Sequence, residues 1–106
     1  MIVVNRFRVP EADQSSFRSD LERARQVLAV QPGFVAGRIG RNVDDPELWL
    51  LTTEWDGPGA YRRALSAYDV KLAAVPTLSR ALDEPSAYEP VEPGTELNRP
   101  EARSLG

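Results

Sequence analysis

The period of the hydrophobic pattern switches repeatedly along this chain, and the order of the switches leaves few folds open. Residues 2–9 alternate. Val3, Asn5, Phe7 and Val9 share one face of an extended segment; Ile2, Val4, Arg6 and Arg8 share the other. Pro10 ends that segment. Over residues 13–30 the spacing becomes helical, with Phe17, Leu21, Ala24, Val27 and Leu28 in one apolar stripe and Arg18, Asp20, Glu22, Arg23 and Arg25 between them. Asp13 suits the N-cap, and Gln31-Pro32-Gly33 stops the helix. A second strand is expected over 34–43, with Phe34, Val35 and Ile39 and two internal glycines. The turn Asp44-Asp45-Pro46-Glu47 leads to a third strand over 48–55, so the two form a hairpin.

Helical character returns after Asp56-Gly57-Pro58-Gly59, with Pro58 suited to a first helical position. Ala60–Ala67 and Asp69–Val75 read as two short helices or one broken helix, and Pro76 kinks or restarts the chain. Leu72, Val75, Leu78 and Leu82 form an expected buried stripe, and a short last strand falls near Ser86–Glu89. The order is β-α-β-β-α-β, the ferredoxin-like arrangement of an α+β domain. Helices on one face of the sheet leave the other face open, carrying Ile2, Val4, Leu48 and Leu50. A second sheet is the natural cover, giving a symmetric homodimer with the form of a dimeric α/β barrel. Residues 1–90 are read as this domain. Residues 91–106, with Pro93, Gly94 and Pro100 among polar residues, are read as a Pro/Glu-rich tail that builds no core of its own.

The chain has no cysteine and no histidine. Disulfides, thiolate sites, a Ser-His-Asp triad and an imidazole ligand to haem are therefore excluded. No metal-binding spacing occurs, and no cofactor is expected. Chemistry falls to carboxylates, tyrosines, arginines, amides or the substrate itself. A net charge of −3 without clustered basic residues gives no nucleic-acid surface. Charge enters too early for a signal peptide, and the apolar run Leu48-Trp49-Leu50-Leu51 is far too short to span a membrane. A cytoplasmic protein is expected.

Four landmarks carry a family resemblance. They are Val3-Val4-Asn5-Arg6-Phe7, Pro32-Gly33-Phe34-Val35, Thr53-Glu54-Trp55 and Ala60-Tyr61-Arg62-Arg63-Ala64. In order and spacing the chain resembles the antibiotic-biosynthesis-monooxygenase (ABM) family over about residues 1–90. The resemblance implies a dimeric α+β barrel with a pocket between sheet and helices. It does not fix a substrate, because the scaffold hosts several activities. Some relatives oxidise polyaromatic polyketides with oxygen and neither metal nor flavin. Others degrade haem with an Asn-Trp-His set. Here Asn5 matches the Asn, but the Trp position falls on Ala64 and the His position near Val75. Haem degradation by that route is disfavoured.

The resemblance and the face pattern together nominate a site. Asn5, Tyr61 and Tyr68 are the candidate catalytic residues. Asn5 is either a donor to a substrate carbonyl or bound oxygen, or an amide bonded to local backbone. Either phenol could orient or protonate an oxyanion, or only pack. Phe7, Arg38, Trp49, Trp55 and Leu72 are candidate substrate contacts. The tryptophans share a face of the third strand and could line a flat pocket or serve as core. Arg38, read in phase with Phe34 and Ala36, could meet an anionic substrate or pair at the sheet edge. The expected activity is a cofactor-independent monooxygenase acting on a small aromatic or polyketide-like compound. The alternative is a non-catalytic ligand-binding or accessory dimer, and an isomerase or cyclase step would need an acid/base pair that the sequence does not locate.

Overall fold

The computed structural model describes residues 1–97. Strand β1 (Ile2–Arg8) leads through a 3-10 turn (Glu11–Asp13) into helix α1 (Gln14–Ala29). Strands β2 (Phe34–Arg41) and β3 (Leu48–Trp55) follow, then α2 (Pro58–Ser66), α3 (Tyr68–Ala73), α4 (Val75–Leu78) and the two-residue strand β4 (Ala87–Tyr88). The strands form one antiparallel sheet in the order β2-β3-β1-β4. This is the expected α+β, ferredoxin-like arrangement.

Alternation decides which side chains face the helices. In β3, Trp49, Leu51, Thr53 and Trp55 are buried beneath them, while Leu48, Leu50, Thr52 and Glu54 face outward. In β1 the buried residues are Val3 and Phe7, with Val9 following. Helix α1 buries Phe17, Leu21, Ala24 and Leu28, the stripe its spacing predicts. Each fully buried Leu or Phe stabilises the fold by roughly 1.5–3 kcal/mol. The outer face carries Ile2, Val4, Leu48 and Leu50, all partly exposed. Among the described residues, no helix is long and apolar enough to cross a membrane.

Local chemistry moved several expected boundaries. Asp13 occupies the N-cap position of α1 but makes no capping bond; its N–H instead closes the 3-10 turn on the Pro10 carbonyl at 2.9 Å. Strand β2 ends at Arg41 because the Asn42 side chain accepts from the N–H groups of Asp44 and Asp45, at 2.9 and 2.8 Å, and turns the chain. A register shift between Phe34 and Ala36 places one extra residue, Val35, in β2. Phe34 therefore faces the helices opposite Trp55, while Ala36 and Arg38 lie opposite Glu54 and Thr52 on the outer face. Arg38 is thus out of phase with Phe34, contrary to simple alternation.

The second helical layer is three short helices. Ala67 is extended (ψ 140°) and ends α2. Pro76 sits in the first turn of α4, where its missing N–H has no helical partner to lose. Restarting at Tyr68 resets the helical phase. Val70 and Ala74 are consequently buried, whereas Leu72, expected in a buried stripe, is 62% exposed. The segment leading into β4 is tied to β1 by a two-bond clamp: Arg6 Nε and Nη2 donate to the Glu84 carboxylate at 2.7 Å each. Of the expected tail, residues 91–97 contain no helix or strand, and residues 98–106 lie outside the described residues.

Gly33 joins α1 to β2 at φ +86°, a region side chains avoid. Its carbonyl accepts from Asp56 N–H at 2.8 Å, and a Cβ there would collide with Ala60 Cβ. The position thus sets how closely α2 approaches the turn. Gly33→Ala is expected to destabilise the protein by about 2–4 kcal/mol, combining the backbone strain and the overpacking. Urea denaturation checks this, with Gly57→Ala as a control, because a Cβ at Gly57 meets nothing within 4 Å.

Candidate functional site between sheet and helices

Asn5 lies at the middle of β1, opposite Leu51, on the face that carries Val3 and Phe7. An amide on such a face needs a partner, since a buried polar group left unpaired costs roughly 1–3 kcal/mol. Helix α2 provides one. Pro58 starts that helix directly after β3, and its first turn carries Tyr61 back over the sheet. The Asn5 side chain lies close enough to the Tyr61 hydroxyl to influence its ionisation.

Three further residues hold Tyr61 in place. Its ring lies 5.4 Å from that of Trp55, tilted by 50°. Trp55 is 2% exposed and meets Phe34 edge-on at 5.3 Å. The Trp55 indole N–H donates to Thr53 Oγ1 at 2.9 Å, so it has no capacity left for a ligand. The result is a half-buried phenol on a rigid aromatic wall, with one amide beside it.

The electrostatics of the phenol follow from this placement. Burial pushes its pKa above the ordinary tyrosine value, because the phenolate would lose hydration. The Asn5 contact opposes that shift. An amide N–H near the phenol oxygen favours the phenolate. At neutral pH the pair is a hydrogen-bond donor and not a base.

The nominated residues fall into separate places. Asn5, Tyr61 and Trp55 meet. Phe7 lies further along the same face, 1% exposed and 5.1 Å from the Phe17 ring. Trp49 is at the opposite end of β3 from Trp55, packed edge-on against Phe17 at 6.1 Å. Tyr68 is 72% exposed, and neither it nor Leu72 joins the pair. Arg38 is on the outer face. Thr53 and Phe34, not nominated, complete the wall; Thr53 was signalled by its place in the buried alternation with two tryptophans. Ala64, at the position corresponding to the haem degraders' tryptophan, is buried. Among the described residues, no group of three or more Asp and Glu is arranged to hold a metal ion.

A four-stranded antiparallel sheet covered on one face by helices, with a polar pair at the layer boundary, defines a ferredoxin-like domain with a sheet–helix site. The model of the antibiotic biosynthesis monooxygenase family matches residues 1–74, and the chain belongs to that family. SnoaB, a cofactor-independent oxygenase from Streptomyces nogalater, is 31% identical, with a TM-score of 0.65 over 76% of this chain and 80% of that one. Rv0793 from Mycobacterium tuberculosis shares the fold at 14% identity, with a TM-score of 0.69 over 89% of this chain and 97% of the other. The 42.8 kDa protein of the whiE locus of Streptomyces coelicolor is 32% identical over 53 residues; that match spans 50% of this chain and 13% of the larger protein.

The raised Tyr61 pKa has a measurable consequence. In an alkaline absorbance titration Tyr61 is expected to ionise above about pH 10, the ordinary tyrosine value, and Tyr61→Phe should remove that late component. The folded state holds this proton more tightly than the unfolded state. Its contribution to stability is therefore complete below the unfolded pKa and is lost as pH rises through the folded one. Tyr61→Phe should flatten the loss of stability on that alkaline side.

Proposed function

We propose that this chain is a cofactor-independent monooxygenase acting on a small aromatic or polyketide-like substrate, with the Asn5–Tyr61 pair as its polar centre. The observation that carries the reading is the half-buried Tyr61 phenol beside the Asn5 side chain, held protonated by its burial. Membership of the family and likeness to a cofactor-independent oxygenase support the reading.

The chemistry suits an electron-rich ring bearing an acidic CH2, as in an anthrone. Loss of one proton gives an enolate. The enolate supplies electrons to oxygen, a C–O bond forms, and the resulting hydroperoxide loses water to leave a carbonyl. One oxygen atom stays in the product and the other leaves as water, so CH2 and O2 become C=O and H2O. The Tyr61 O–H would donate to the developing oxyanion, Asn5 would hold the phenol in position, and Trp55 would give the ring a flat wall.

The test is oxygen uptake by metal-stripped protein with a panel of anthrones and naphthols. Asn5→Ala and Tyr61→Phe are each expected to lower kcat by about 10²–10³, the usual effect of losing one oxyanion donor. Uptake that ignores both substitutions would move the chemistry elsewhere on the chain. Tight binding of the same compounds without uptake would favour the ligand-binding alternative.

A homodimer belongs to the same proposal. The outer sheet face carries Ile2, Val4, Leu48 and Leu50, and a second copy placed against it would bury them. Leu50→Glu puts a charge at its centre and is expected to yield monomers by sedimentation velocity. A variant with unchanged mass in solution would remove this face from the interface.

A further inference from the structure

A cavity lies between α1 and the edge strand β2. It has a volume of about 570 Å³, and its lining includes Arg18, Glu22, Arg25, Arg38, Arg41 and Trp49. We infer that it binds a small organic oxyanion, held by the Trp49 indole N–H and the guanidinium groups of Arg25 and Arg41. The inference does not rest on the monooxygenase reading, since the Asn5–Tyr61 pair takes no part in it.

Two orphaned donors carry the argument. Trp49 is only 8% exposed, and its indole nitrogen is buried without a hydrogen-bond partner. Arg25 Nε is buried and unpartnered as well. Buried polar groups in folded proteins are nearly always paired, so two unpaired donors on residues that line one cavity point to an acceptor supplied from outside. Both groups can only donate, which fits a ligand that can only accept.

Charge narrows the ligand to an anion. The chain as a whole carries −3, yet three arginines besides the outward-facing Arg38, and a single carboxylate, line this cavity. The carboxylate, Glu22, lies 3.9 Å from Arg18. Arg25 and Arg41 have no ion pair with any described carboxylate. The Arg41 hydrogen bond goes to the neutral Gln14 Oε1 at 3.2 Å, and its guanidinium stands 5.7 Å from the centre of the Trp49 ring. The charge on Arg41 is therefore not cancelled, and the guanidinium is braced over the indole. The volume exceeds what one inorganic anion fills and falls in the range of small-molecule sites. A carboxylate or phosphate joined to a flat ring fits both the donors and the space.

The two tryptophans provide an internal control. The chain contains Trp49 and Trp55 alone, and the Trp55 indole N–H is already bonded to Thr53. In 15N-labelled protein, with Trp49→Phe assigning the two indole signals, benzoate and inorganic phosphate are titrated separately. A saturable shift of the Trp49 indole signal, with that of Trp55 unmoved, is expected with benzoate. Arg25→Gln should weaken binding about tenfold or more, while Arg62→Gln on the exposed face of α2 should leave it unchanged. Equal binding of phosphate would mean that the oxyanion alone is recognised; preference for benzoate would add the ring. If Arg25→Gln loses its dispersed spectrum, Arg41→Gln takes its place. The inference fails if neither anion moves the Trp49 signal at millimolar concentration. It also fails if both indoles move together, or if a folded arginine variant binds as tightly as the parent.

Discussion

Strand β3 offers every second side chain to the helices, and the burial of that row organises the molecule. Trp49, Leu51, Thr53 and Trp55 are all buried, and helices, flanking strands and candidate sites take their positions from them. Trp55 stands at one end, where α2 begins and Tyr61 folds back. Trp49 stands at the other, under α1 and beside the edge strand. They stand six positions apart along the strand, about 20 Å at the usual rise. The two indoles differ in one hydrogen bond. Thr53 satisfies Trp55 from within the same face, and none of the described residues does this for Trp49. One tryptophan is thereby a sealed wall and the other is left with an open donor.

The elements that were legible in the sequence are those whose pattern is regular over their full length. Strand β3 was read to the residue, because alternation from Leu48 to Trp55 is unbroken and a turn bounds it on each side. The buried stripe of α1 was equally plain. Legibility failed where one residue resets a phase. Val35 adds a position to β2 and sends Arg38 to the outer face. Ala67 breaks the second helical segment, so the apolar spacing around Leu72 no longer names the buried side. Both are events at one residue that leave composition unchanged, and a periodicity argument averages over them.

The site was legible in part for a different reason. Asn5 drew notice as an amide on a helix-facing stripe, and Tyr61 as a phenol near the start of a helix. Their approach brings together residues far apart in the chain, and it depends on how α2 packs over the sheet. No spacing rule connects positions 5 and 61. The orphaned donors of Trp49 and Arg25 are further out of reach, since a missing hydrogen bond is a property of the assembled structure alone.

The lack of histidine then shapes what a site of this kind can do. A general base works best with a pKa near the operating pH, and here neither imidazole nor thiol exists to provide one. Burial moves Tyr61 further from that range. Under the monooxygenase proposal, the proton must therefore come off a substrate acidic enough to lose it with little help, and the protein's part is to stabilise the anion that results. That favours enolisable, ring-conjugated ketones and phenols over simple hydrocarbons. It also explains why a donor amide and a protonated phenol, inert as bases, suffice: they lower the free energy of the substrate's anion, and a more stable anion is a more acidic substrate. Selectivity for acidic aromatic compounds would thus arise from the same two groups that assist the reaction with oxygen.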